Sequence, residues 1–241
     1  MTRLQKRAVS MSSGKHGGFS DTLVTVVDPT GPGSEAYRMM RTNLLYASVD
    51  DPPKVVVLTS AGPGEGKSTT VANLGVTLSE AGKSTLVVDC DLRKPMLHNY
   101  FETRNMTGLV DILTMGRKPQ DVWHEPMLNL KLISAGPPPL NPAELLSSQR
   151  FAKFLSQARQ QFDYVLIDTP PVTIVTDSAV VGVLGDGVLL VVDAQGTRKN
   201  ALRQAIRELE GVGVRVLGTV LNNVAASKGE YATYGYIRAG G

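Results

Sequence analysis

Apolar residues occur along this chain in short unbroken runs separated by stretches of helical character. Val55-Val-Val-Leu-Thr59 is the first such run, followed by Thr85–Asp89, Asn129–Ser134, Tyr164–Asp168, Val188–Asp193 and Arg215–Leu221. Strict alternation would mark a sheet with one wet face, whereas runs that are apolar throughout mark strands buried on both faces. Between them, Lys67–Ala81 reads as a helix stopped by Gly82, Glu144–Gln161 as helical, and Lys199–Leu209 as a further helix. Upstream, Thr22–Val27 reads as a short strand broken by Asp28-Pro-Thr-Gly-Pro-Gly33. Ser34 then reads as the N-cap of a helix Glu35–Ala47, with Pro52 and Pro53 closing that region. Residues 92–128 are less regular, with a short helix at Gly108–Thr114. The alternation predicts an α/β fold with a mostly parallel central sheet flanked by helices on both faces.

Composition narrows this picture. A chain of 241 residues with 42% hydrophobic and 20% charged residues has enough material for one large core. Its net charge of +3 is too small to argue for a nucleic-acid partner. The positive charge lies at the ends. Residues 1–20 hold Arg3, Lys6, Arg7 and Lys15 and no acid, and the last stretch sets Lys228 and Arg238 against Glu230. The single cysteine, Cys90, excludes an internal disulfide framework and a cysteine-built zinc site. With no long apolar span and no apolar leader segment, the expected location is cytoplasmic. The expected organisation is a mobile basic arm (1–20), a P-loop domain (21–225) and a flexible tyrosine-rich tail (226–241).

Residues 61–69 read Ala-Gly-Pro-Gly-Glu-Gly-Lys-Ser-Thr, after an apolar strand and before a helix, which is the context a phosphate-binding loop requires. Backbone N–H groups of Gly62, Pro63's successors Gly64, Glu65 and Gly66, and the helix start through Thr69 would cradle phosphates. Lys67 would reach the β- and γ-phosphates of ATP, and Ser68 would hold Mg²⁺. The leading glycine of the strict pattern is replaced by Ala61.

Three carboxylates sit at strand ends, where an open α/β sheet binds its ligand. Asp89 and Asp91 close one strand two residues apart, and Asp168 closes another. Beside a triphosphate they would repel it unless Mg²⁺ lay between. Asp193 also ends a strand and reads as a turn cap. Asn222, after the last strand, is balanced between a base contact and a turn residue.

These motifs, in this order, resemble the bacterial tyrosine kinases of capsule and exopolysaccharide synthesis, particularly their separate cytoplasmic kinase subunits. Ala61–Thr69 resembles the family's Walker A loop, Asp89-Cys-Asp-Leu-Arg-Lys-Pro95 its Walker A′ box and Val165–Pro171 its Walker B strand. Glu35, Arg38 and Arg41 resemble its E-x-x-R-x-x-R helix, and Gly136–Leu146 a family loop. The resemblance implies ATP and Mg²⁺ as cofactors, with Lys67, Asp89, Asp91 and Asp168 catalytic and Ser68, Asp91 and Asp168 holding the metal. It implies that helix 35–47, through Glu35, Arg38 and Arg41, builds a ring-type homo-oligomer, an octamer in the family. It further implies a transmembrane polysaccharide co-polymerase as activator, recruitment to the inner face of the membrane, and other protein-tyrosine substrates. Tyr231, Tyr234 and Tyr236 are three of the chain's seven tyrosines and stand among Gly, Ala, Thr and Lys, which suits phospho-acceptors on a solvated tail. Two other functions share parts of the pattern. A partition- or septum-positioning ATPase would carry a second lysine where this chain has Gly62. A non-catalytic ATP-binding scaffold would not need the four intact catalytic positions.

Overall fold

A computed structural model describes residues 19–46 and 52–225. The expected basic arm, apart from its last two residues, and the tail with Tyr231, Tyr234 and Tyr236 lie outside the described residues. So does the expected last residue of the Arg-bearing helix.

Among the described residues seven strands form one sheet in the order β3-β4-β2-β5-β1-β6-β7. They are β1 (Val55–Ser60), β2 (Thr85–Asp89), β3 (His124–Met127), β4 (Leu130–Ile133), β5 (Tyr164–Asp168), β6 (Gly187–Asp193) and β7 (Val216–Asn222). Only β3, on one edge, runs antiparallel to its neighbour. Every residue of β1, β2 and β5 is buried, as continuous apolar runs require.

Helices cover both faces. On one lie α1 (Val24–Val27), α2 (Pro32–Leu45), α3 (Lys67–Glu80) and α4 (Leu97–Tyr100), sharing a core of Leu23, Leu44, Leu74 and Leu97 with the sheet. On the other lie α5 (Leu109–Met115), α6 (Pro142–Leu146), α7 (Gln149–Gln161), α8 (Asp177–Leu184) and α9 (Lys199–Gly211), around Leu109, Leu146, Phe151, Val181 and Leu209. The chain is thus an α/β protein of the expected P-loop type. Helix α3 comes so close to the sheet that a Cβ on Gly75 would stand 2.8 Å from Val87 Cγ2.

The structure corrects several boundaries. Thr22–Val27 is not a strand. It forms the single turn α1, because Thr25 N and Oγ1 both donate to the buried Asn73 Oδ1 on α3 (3.0 and 2.9 Å), away from either sheet edge. Helix α2 begins earlier than Ser34, with Pro32 in the first turn. Ser34 Oγ instead donates to the carbonyls of Asp28 (2.6 Å) and Val24 (3.0 Å). Asn129 is not a strand residue but takes the left-handed conformation (φ 62°) in the β3–β4 turn, which Asn tolerates better than most. The helical stretch 144–161 divides at Ser147–Ser148, where Ser148 Oγ accepts from Phe151 N and starts α7.

At the end of the sheet away from the loop, Asp186 Oδ2 accepts from the backbone N–H groups of Lys54 and Val55 (both 2.8 Å), and its other oxygen pairs with Arg159 (2.5 Å). Burial pushes this carboxyl up, but the Val55 N–H, Arg159 and the Lys54 N–H outweigh it and hold it below the ordinary value. Such a group stabilises the fold above its unfolded value of about 4, and that contribution is lost as pH falls through the folded value. Asp186→Ala is expected to cost about 1–3 kcal/mol by stranding two donors, read as a lower Tm at pH 7. The gap from wild type should shrink in acid.

Candidate active site

Parallel pairing sets the ends of β1, β5 and β2 side by side. Leu58 stands opposite Asp168, and Asp168 opposite Asp89. The loop 61–66 leaves β1 and turns into α3 through Gly66, whose φ of 93° is left-handed. A Cβ there would meet Asn222 Nδ2 at 2.0 Å, so both the dihedral and the space require glycine.

The loop is braced from within. Glu65 is buried, and its carboxylate accepts from Ala61 N (3.1 Å) and Thr197 Oγ1 (2.8 Å); Thr197 Oγ1 in turn accepts from Asp193 N (3.0 Å). The Asn222 amide donates to the Glu65 carbonyl (3.1 Å), so this side chain buttresses the loop. Thr173 Oγ1 donates to Ala61 O (2.5 Å), and the Thr69 hydroxyl pairs with Tyr100 OH (2.8 Å). Asp193 accepts from Gln195 N (2.9 Å) in the turn it was expected to cap.

Lys67, Ser68, Asp91 and Asp168 come together at the start of α3. Lys67 is buried, and its charge acts on both Asp91 and Asp168. Ser68 Oγ donates to Asp168 Oδ2 (2.5 Å). Asp168 Oδ1 is buried and has no hydrogen-bond partner among the described residues. Burial pushes the Asp168 carboxyl up to about 7, against the opposing pull of Lys67 and Ser68. Burial likewise raises Asp91, whose Oδ1 accepts from Lys94 N (2.9 Å).

Asp89 is differently engaged. Its Oδ1 accepts from Asp91 N (3.2 Å) and its Oδ2 from Met96 N and Leu97 N (both 3.0 Å). Burial first, and Asp168 second, raise it well above the ordinary carboxylate range. Asp89 thus braces the loop that carries Asp91. Arg93, on the same loop, makes a two-pronged pair with the buried Asp177 at the start of α8 (2.9 and 3.3 Å).

This donor set fits Mg²⁺. Among the described residues no three His, Cys, Asp or Glu side chains cluster to hold a metal unaided. Mg²⁺ does not need such a cage, since it commonly takes one or two carboxylates with phosphates and water. Ser68 Oγ and the unpartnered Asp168 Oδ1, with Asp91 nearby, supply that number. A divalent cation would reverse the upward shifts that burial and mutual repulsion impose on these acids.

Glu35, Arg38 and Arg41 lie on α2, apart from this cluster. Arg38 pairs with Glu35 and donates to Pro29 O (2.6 Å), and Arg41 donates to Thr77 O (3.0 Å). Sequence reasoning missed Thr197, Thr173, Tyr100 and the Arg93–Asp177 pair. Most of their partners lie more than 80 residues away along the chain, so no local pattern signals them.

Residues 53–216 match the family described as an AAA domain. The chain is 40% identical over 215 residues to the tyrosine-protein kinase YwqD of Bacillus subtilis, covering 88% of this chain and 91% of that protein. The kinase domain of the Escherichia coli tyrosine kinase ETK superposes with a TM-score of 0.80 at 30% identity, covering 86% of this chain and 84% of that one. The septum site-determining protein MinD of Pyrococcus horikoshii, solved with Mg-ADP, shares the fold (TM-score 0.62) at 22% identity, over 75% and 76% of the two chains. The chain belongs to the bacterial tyrosine kinases, a branch of the P-loop nucleotide-binding proteins.

The internal brace yields a test. Glu65→Ala leaves Ala61 N–H and the Thr197 hydroxyl without their acceptor and is expected to weaken nucleotide binding by about ten-fold. Glu65→Gln, which keeps one acceptor oxygen, should fall between. Titration with a fluorescent ATP analogue measures both.

Proposed function

We propose that the chain is an ATP-dependent protein-tyrosine autokinase that phosphorylates Tyr231, Tyr234 and Tyr236, chiefly on a neighbouring copy. The observation that carries this reading is Asp168: bonded to Ser68 of the phosphate loop through one oxygen, it keeps its other oxygen buried and without a partner among the described residues, beside Lys67 and Asp91. In this reading the backbone N–H groups of Gly62 and residues 64–69 and the Lys67 ammonium hold the ATP phosphates. Ser68, Asp91 and Asp168 would hold Mg²⁺, which when bound would supply charge neutralisation at the phosphates. Asp89 fixes the loop bearing Asp91. The acceptor phenol, of pKa about 10, gives its proton to a carboxylate of this set as its oxygen bonds to the γ-phosphorus and ADP leaves. Positioning in line does most of the work.

The same reading assigns a ring-type homo-oligomer built through Glu35, Arg38 and Arg41, with 21–225 as the kinase domain and 226–241 as the acceptor tail. It places the protein at the inner face of the membrane with a transmembrane activator of capsular or exopolysaccharide synthesis. Among the described residues no helix is long and apolar enough to cross a membrane.

Incubation of the purified full chain with Mg·ATP and probing for phosphotyrosine tests the chemistry. The signal is expected to fall at least 100-fold in Lys67→Met and to vanish when Tyr231, Tyr234 and Tyr236 are all phenylalanine. Strong ATP turnover without phosphotyrosine would favour a partition- or septum-positioning ATPase instead, a reading supported by the shared fold but opposed by Gly62 in place of a second lysine.

For assembly, Arg38→Ala combined with Arg41→Ala should give smaller particles in analytical ultracentrifugation and less transfer between copies. Wild-type size and transfer would refute the interface assignment. A Tm measured alongside accounts for the lost Thr77 tie.

A further inference from the structure

Helix α9 carries a row of positive charge that no carboxylate among the described residues answers. Lys199, Arg203 and Arg207 follow one another at intervals of four, which sets them on one face of the helix, and Arg198 stands at its start. All four are exposed, while the opposite face, with Ala205 and Leu209, is buried in the core. Among the described residues none of the four side chains forms an ion pair. Like charges at this spacing destabilise a helix. The acids around the row are engaged elsewhere. Glu208 accepts from the Gln204 amide (2.8 Å). On α8, which packs against α9, Asp177 pairs with Arg93. Asp193, at the end of β6, accepts from Gln195 N (2.9 Å) and the Asn223 amide (3.1 Å). Glu210, three residues beyond Arg207, is left at the far end of the row.

We propose that this face of α9 is a phosphotyrosine-binding surface, and that its occupant is the phosphorylated segment 226–241 of the same chain. The inference rests on the kinase reading above. Charge selects the modified form. Unmodified, the segment sets Lys228 and Arg238 against Glu230 and is net positive, so the row repels it. Each phosphate adds about −1.5 to −2 charges and three acceptor oxygens that suit the forked guanidinium groups of Arg203 and Arg207. Position selects the same chain. Asp193 stands opposite Asn222, Ala194 N donates to Asn222 O (2.9 Å) and Thr197 N donates to Asp193 O (2.9 Å), so α9 begins beside the end of β7, from which the segment continues. The step from Asn222 to Thr197 crosses one strand spacing and one closed turn, about 10 Å, and the row from Lys199 to Arg207 runs about 12 Å. Tyr231, Tyr234 and Tyr236 follow Asn222 by 9, 12 and 14 residues, lengths of up to about 30, 40 and 46 Å. Each reaches the row without a second copy. A lipid surface suits it less, because the apolar face of α9 is spent on the core and none is left to enter a membrane. Phosphorylation in this arrangement turns an acceptor of the kinase into a ligand of its own α9.

The surface is tested by titrating the full chain with fluorescent peptides of residues 226–241, one phosphorylated on Tyr231, Tyr234 and Tyr236 and one unmodified, in the presence of a saturating non-hydrolysable ATP analogue. Anisotropy is expected to show the phosphopeptide binding about ten-fold or more tightly than the unmodified one. That difference should disappear in a chain carrying Lys199→Gln, Arg203→Gln and Arg207→Gln, with its Tm and its affinity for the ATP analogue unchanged. Equal affinity for the two peptides, or a phosphopeptide affinity that survives the three substitutions, overturns the surface. Cosedimentation with phosphatidylserine vesicles that is lost in the substituted chain, while its phosphopeptide affinity is kept, overturns it in favour of a lipid surface. The occupant is tested on full chains autophosphorylated with Mg·ATP and exposed to a fixed amount of tyrosine phosphatase. Phosphate should leave the wild type several-fold more slowly than the substituted chain, at a fractional rate that does not change on dilution. Protection that fades on dilution overturns the same-chain occupant alone. No phosphotyrosine after incubation overturns the kinase reading, and the occupant with it, whatever the peptides show.

Discussion

The parallel pairing of β2, β5 and β1 is the constraint on which the site depends. Because all three strands run the same way and in register, their carboxyl ends finish together, and Asp89, Asp168 and the start of the phosphate loop meet without any long connection having to deliver them. A register slip of one residue in β5 would turn Asp168 toward the opposite face of the sheet and separate it from Ser68. Complete burial of these strands fixes the register, since every residue of β1, β2 and β5 is packed on one helical layer or the other.

Within that frame the acids divide by what already engages them. All three are buried and driven toward the neutral form. Asp89 spends both oxygens on backbone N–H groups, whereas one oxygen of Asp168 finds no partner among the described residues. An unpaired buried acceptor is costly to a fold, and such a cost is tolerated where a ligand relieves it. Lys67 supplies one positive charge to two neighbouring acids, leaving room for a cation of higher charge.

The fold was largely legible from sequence because fully buried parallel strands leave unbroken apolar runs. β2 and β5 fall where those runs predict, and β1, β4, β6 and β7 lie within one residue of them at either end. The phosphate loop and its acids were legible because glycines, a lysine and strand-end carboxylates cluster locally. What escaped was set by distant contacts. Thr22–Val27 has the branched residues of a strand but coils against Asn73. β3 has a proline and a histidine and no apolar run, and pairs only through its turn with β4. The brace formed by Glu65 and Thr197 joins residues 132 positions apart. The two readings considered for Asn222 both overlooked its bond to the Glu65 carbonyl, which depends on where β7 ends relative to the loop.

Asn73 gives the folding unit a wider boundary than the matched region. Its amide donates to Thr69 O on α3 and to Thr22 O, while its oxygen takes two donors from Thr25. Every polar atom of this buried side chain is thereby saturated, and three of its four bonds are made with residues that precede the AAA match at 53–216. A fragment cut at residue 53 would keep Lys67, Ser68, Asp89, Asp91 and Asp168 and yet expose a starved amide little more than one turn beyond Ser68. The opening segment is therefore a constituent of the scaffold that seats the loop, and a protein designer grafting this unit would have to carry residues 22–25 along with it.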